Sequence, residues 1–247
     1  MTTEGTTARI VRSADRKHWW DGAIDSWQSF PATGNFDLAS AAHGLLLVHN
    51  EDTVAPGEGF DRHHHRNMEI ITWVLDGVLR HEDSVGNTGV LRPGVVQRMS
   101  AGSGVLHSER NDNGYTSRQP LRVVQMWIPP STPDTAPSYE ERDVSDALAG
   151  GDLVVVASGR ECHAGRAAVT LGHRDAALHV ARPAAGQSIT VPDAPFVHVF
   201  LARGGATMGG DELRQGDAVR LTGGGGHRIT ATIPGEILVW EMHSAAA

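Results

Sequence analysis

Apolar positions in this chain recur at the spacing of strands, not helices. Glu69–Leu75 (EIITWVL) and Leu121–Ile128 (LRVVQMWI) are short runs rich in β-branched and aromatic side chains. His43–Asn50 (HGLLLVHN) reads as a third, buried strand ahead of the turn-forming stretch EDTVAPGEG. Asp76-Gly77, Ser84–Asn87, Arg92-Pro93-Gly94 and Ala101–Gly104 supply turns in between. The pattern resumes with LVVVAS at 153–158, AALHVA at 176–181, FVHVFLA at 196–202, DAVRL at 217–221 and EILVWEM at 236–242. Strands arriving every 8–12 residues or so, with turns between them, are the signature of a sandwich or barrel. No helical pattern exceeds a few turns, so an all-β fold is predicted.

Pro129–Pro137 (PPSTPDTAP) breaks the alternation. Four prolines in nine residues stiffen the backbone and remove donors that a strand needs. Residues 131–137 are therefore expected to link an N-terminal β domain, 1–130, to a second one, 138–247. A length of 247 residues accommodates both.

Charge and cysteine content narrow the function classes. With 21 basic and 29 acidic residues the net charge is −8, and no basic stripe stands out, so direct nucleic-acid binding is not expected. Cys162 is the one cysteine, which excludes an intrachain disulfide. The N-terminus is polar and lacks the apolar segment of a secretory signal. No apolar run approaches the roughly 20 residues needed to cross a bilayer. A cytoplasmic location without membrane contact is the expectation.

Chemistry concentrates in Asp61–Glu69 (DRHHHRNME) and Leu106–Arg110 (LHSER). Side chains two apart on a strand share a face, so His63 with His65, and His107 with Glu109, can each address one ion. Three imidazoles and a carboxylate suit a mononuclear transition metal with positions left open. His64 must point the other way. Glu69, four residues beyond His65, returns to the inward face if the strand continues unbroken, where it would orient a histidine ring from behind. His81 sits at a hairpin end and is expected to be solvated. After residue 140 no His-x-His or His-x-Glu pair recurs, and His163, His173, His179, His198 and His227 are expected to be solvated or satisfied in the core. No nucleophile elbow, phosphate-binding loop or Cys-x-x-Cys pair competes with the metal site.

These residues resemble the cupin superfamily and, within it, the pirin family. Gly57-x5-His63-x-His65-x3-Glu69 is similar to the first cupin motif and Gly94–Asn111 to the second. GFDRHHHRNMEIITWVLDG, HEDSVGNTGV and MSAGSGVLHSE follow one another in the pirin order. Arg12–Arg16 and HGLLLVHNED are similar to the family's N-terminal pattern, so the resemblance covers about residues 9–130 strongly. Two departures stand out: His64 occupies the place of a usual Pro, and Gly102 precedes Ser103-Gly104 where cupins at large carry Pro.

The resemblance implies a bicupin: two cupin-type β-barrels, or double-stranded β-helices, packed face to face. It implies one divalent metal in the N-terminal barrel, Fe(II) foremost, held by His63, His65, His107 and Glu109, and none in the C-terminal barrel. Ni, Co, Mn, Cu and Zn suit the same donors. The activity implied is that of a quercetin 2,3-dioxygenase, opening a flavonol heterocycle with O2, with Glu109 as both ligand and base. The alternative is a redox- or metal-sensing regulatory protein acting through a protein partner, as animal pirins do. A cupin isomerase, with Arg98 or Arg122 binding a carboxylate in the pocket, is a third reading.

Overall fold

The structure, a computed structural model, describes residues 6–30 and 37–246. The first five residues of the N-terminal segment discussed above lie outside it. Apart from one four-residue α-helix, Ser145–Leu148, and three single turns of 3-10 helix, the described elements are strands. Among the described residues no helix is long and apolar enough to cross a membrane.

Two sheets build the first half. A seven-stranded sheet runs in the order Ser138–Asp143, Val95–Ser100, Glu69–Asp76, Leu121–Ile128, Val48–Val54, Ile24–Phe30 and Lys17–Trp20. A four-stranded sheet runs Gly59–His65, Val105–Asn111, Leu79–Asp83 and Thr88–Leu91. The alternation within single strands shows how they pack. On Leu121–Ile128, Val124, Met126 and Ile128 enter a core shared with the second half, while Leu121 and Val123 enter a smaller core that includes Leu79 and Leu91 of the small sheet. Leu121–Ile128, at the middle of the large sheet, is thus apolar on both faces, as the continuous run in LRVVQMWI demands.

The second half is one nine-stranded sheet built around two long strands, Phe196–Met208 and Arg228–Met242. The shared core joins Phe30, Leu46, Ile71, Trp73 and Met126 to Leu178, Phe200, Leu238 and Trp240, so the two cupin domains meet face to face. Hydrogen bonding crosses between the halves in both directions along the chain. Thr7–Val11 pairs with Ala218–Thr222 in the nine-stranded sheet, and Ser138–Asp143 pairs with Val95–Ser100 in the seven-stranded one.

One expected strand is displaced. His43–Leu47 makes only an isolated bridge, and the strand spans Val48–Val54, taking in the acidic residues read as a turn. Those charges are tolerated because each has a place. Glu51 faces the second half, where Arg16 Nη2 (3.0 Å) and Arg122 bind it, and Asp52 faces the opposite side. Arg98 likewise spends its donors on Thr170 O (2.8 Å), Ser138 Oγ (2.7 Å) and Glu140. Neither Arg122 nor Arg98 lines the cavity described below, which removes the carboxylate-binding arginine that an isomerase reading needs.

Candidate metal centre

Gly59–His65 and Val105–Asn111 pair antiparallel, with His107 opposite His63 and Val105 opposite His65. The register slips between His107 and Glu109, whose partner is Phe60, so the first strand carries an extra residue here. Gly59 permits this close approach, since a Cβ there would stand 2.1 Å from Glu109 O.

The pairing brings His63, His65 and His107 together, with ring-nitrogen ligand atoms within 4.8 Å of one another. His63 Nε2 and His107 Nε2 lie 3.1 Å apart, and His65 Nε2 is buried without any hydrogen-bond partner. The opposite ring nitrogens of His63 and His107 are accounted for. His63 Nδ1 lies 2.7 Å from Asp61 O, to which it donates, and His107 Nδ1 faces His81 Nδ1 at 3.5 Å. Nε2 of His63 and of His107 therefore face each other with the unpartnered Nε2 of His65 nearby, an arrangement that leaves a buried nitrogen unpaired unless an ion takes it. Burial, aided by the neighbouring histidines, lowers His65 and His107 to about 3, so both rings are neutral as ligation requires. His64 is exposed, as the alternation demands.

Glu109 is buried at 2% exposure beside His107. Gln125 Nε2 donates to its Oε2 (2.5 Å) and Thr72 Oγ1 to its Oε1 (3.3 Å), while Trp127 Nε1 donates to Gln125 Oε1 (3.1 Å). The carboxylate is thus held from the large sheet while its own strand belongs to the small one.

Glu69 does not join this group, and the expectation that it stands behind a histidine is corrected. The chain breaks strand geometry at Arg66–Met68, with Asn67 at φ 50°, and Glu69 begins a strand of the other sheet. The alternation count restarts there. Glu69 Oε2 instead accepts from Ser100 Oγ (2.9 Å) and from Gly172 N–H (2.7 Å) of the second half.

The residue behind His107 is His81, fully buried rather than solvated, with Asp83 Oδ2 3.6 Å from its Nε2. Its phase was readable: His81 alternates with Leu79 on Leu79–Asp83, so the two share the inward face.

A cavity of about 270 Å³ opens beside His63. Trp19, Phe60 and Trp127 form its apolar walls, and Gln28, Asn50, Asp52 and Gln125 its polar ones. Asp52 is 4% exposed, and burial, reinforced by Glu109 and Glu51, raises its carboxyl to about 7. Sequence reading missed Asp52 because it lay in a stretch taken for a turn.

The chain is similar to known proteins over most of its length. Residues 11–128 match the Pirin family model, and residues 156–242 match the model described as quercetinase C-terminal cupin domain. A putative quercetin 2,3-dioxygenase of Mycobacterium tuberculosis is 46% identical over 239 residues, 96% of each chain. The quercetin 2,3-dioxygenase of Escherichia coli K12 is 37% identical over 152 residues, 62% of this chain and 64% of that one. The crystal structure of YhhW from E. coli superposes with a TM-score of 0.86 at 26% identity, covering 98% of this chain and 100% of that one. The nickel(II) complex of the same bacterial pirin gives 0.84, over 97% and 100%. With both halves matched and a relative of this identity spanning nearly the whole length, the chain belongs to the pirin family.

Proposed function

We propose that the chain is a mononuclear metal-dependent dioxygenase that opens the heterocycle of quercetin or a related flavonol. The observation that carries this reading is the juxtaposition of the Nε2 convergence at His63, His65 and His107 with the aromatic-walled cavity at His63. His63, His65, His107 and Glu109 would hold the ion, Fe(II) foremost, with Ni, Co, Mn, Cu and Zn compatible with the same donors. When bound, the ion supplies Lewis acidity and a template for substrate and O2.

The chain's own residues supply the rest. Trp19, Phe60 and Trp127 give a flat polycyclic substrate apolar surfaces to lie against and keep water from the reacting ring. Gln125, with one N–H on Glu109 and a second to spare, offers a hydrogen bond to its oxygens. The acidic hydroxyl of a flavonol must lose its proton for the ring to become electron-rich. Glu109 is the base for it, and the Asp52 carboxyl, raised to about 7, can hold that proton within the site at neutral pH. Gln125, already donating to Glu109, keeps the carboxylate oriented while it exchanges between the two roles.

The names of the relatives support this reading, as does the fit of the donor set. The test is dioxygen uptake with a panel of flavonols by protein of known metal content. Uptake matched by loss of flavonol absorbance and release of carbon monoxide is the expected result. Metal-loaded protein that consumes no dioxygen with any flavonol contradicts it. Capture of a protein partner dependent on iron oxidation state would then favour the regulatory reading.

A further inference from the structure

Two side chains of the cavity wall stand in line with Glu109. On Leu121–Ile128 the alternation gives Leu121, Val123, Gln125 and Trp127 one face. The first two enter the small core with Leu79 and Leu91, and the last two line the cavity beside His63. Trp127 Nε1 donates to Gln125 Oε1 (3.1 Å), and Gln125 Nε2 donates to Glu109 Oε2 (2.5 Å). The Trp127 ring also stands edge-on to His65, with centroids 4.8 Å apart and planes at 80°.

We propose that Trp127 is a positioning residue for the metal centre, acting on Glu109 by fixing which end of the Gln125 amide faces it. The inference rests on the reading of Glu109 as ligand and base. An indole N–H can only donate and an ionised carboxylate can only accept, whereas an amide does one at each end. Between Trp127 and Glu109, one orientation of Gln125 therefore satisfies both neighbours. Turned over, the amide would set N–H against N–H at the indole and oxygen against oxygen at the carboxylate. The two hydrogen bonds are thus made or lost together.

Glu109 depends on that amide. Its other side-chain hydrogen bond, from Thr72 Oγ1, is longer at 3.3 Å, so the short bond from Gln125 is the stronger restraint on the carboxylate. Trp127 therefore has two roles that substitution can separate. A phenyl ring at this position keeps the apolar wall and an edge toward His65, and removes the N–H alone. The Gln125 amide is then free to reverse, and Glu109 loses the bond that sets its direction beside His107.

The test is the Zn2+ affinity of the full-length chain, measured by competition with a chelator in the absence of substrate, with circular dichroism confirming the fold. Trp127→Phe should weaken zinc about 10-fold, the low end of what a partner behind a ligand contributes. Gln125→Met should weaken it at least as much. The double variant should bind zinc no more weakly than Gln125→Met alone, because the indole acts through the amide. A second measurement leaves Trp127 in place: one indole N–H resonance should move in the NMR spectrum of Gln125→Met protein. Affinity unchanged by Trp127→Phe, losses that add in the double variant, or indole signals that Gln125→Met leaves in place would each overturn the proposal. Failure of the metal reading itself is told apart, since it shows as wild-type protein that takes up no zinc.

Discussion

The two halves bury histidines in opposite ways. In the first, His63, His65 and His107 turn bare ring nitrogens toward each other, and the anion of the group, Glu109, is held by the neutral donors Gln125 and Thr72. In the second, Glu241 is the hub, and Arg160 already offsets part of its charge. A cluster whose charge is balanced internally can be stable by itself. One made of neutral acceptors and a carboxylate without a cationic partner is completed by an ion. The architecture is common to both halves, so polar chemistry at a few interior positions, not the fold, separates them.

The sharpest way to break this comparison is His107→Ala, expected to lower metal affinity of the first half roughly 100-fold or more, since one of four proposed ligands carries a large share of the binding energy. Metal content after dialysis reads it directly, and unchanged content would remove His107 from the site. Glu109→Gln should retain most of the metal yet abolish flavonol turnover, because the amide cannot accept the proton. Turnover near the wild-type rate would sink the proposed base.

His81→Gln tests the ring behind His107. Loss of an outer partner should weaken metal binding about 10- to 100-fold, whereas a solvated hairpin residue would give no change in a zinc titration.

Acid tests the interface between the halves through one residue. His49 is fully buried between the halves, neither ring nitrogen has a partner, and burial lowers it from 6.5 to about 3. Between those values the unfolded chain binds a proton that the folded chain refuses. Stability therefore falls as pH drops from about 6.5 toward about 3, by about 1.4 kcal/mol per unit for this residue. Urea unfolding at pH 7 and pH 5 should show a smaller loss for His49→Leu than for the wild type; equal losses would contradict it. The smallest effect on metal belongs to Glu69→Gln. It should leave metal affinity within about 2-fold while costing about 1–3 kcal/mol at its contacts with Ser100 and Gly172.

Much of this was legible in the chain. Leu121–Ile128 and Ala176–Ala181 form strands with the expected bounds, because period-two burial and β-branched content act locally. The approach of His63, His65 and His107 to one another, and of Glu109 to His107, followed from the same periodicity. What failed was whatever depended on partners far along the chain. Glu51 and Asp52 look like a turn until Arg16, Arg122 and Ser26 are brought to them. Glu69 was misplaced because a three-residue break, invisible to an alternation count, moves it to another sheet. The pairing of Thr7–Val11 with Ala218–Thr222 joins segments more than 200 residues apart, which no local pattern encodes.

The most direct test is an anomalous difference map from crystals of the metal-loaded protein, collected at the absorption edge of the bound metal. A peak about 2.0–2.3 Å from the Nε2 atoms of His63, His65 and His107, with Glu109 beside it, is the predicted result. Loaded protein with no peak there, its metal lying elsewhere on the chain, would contradict the assignment of the first half as the metal centre.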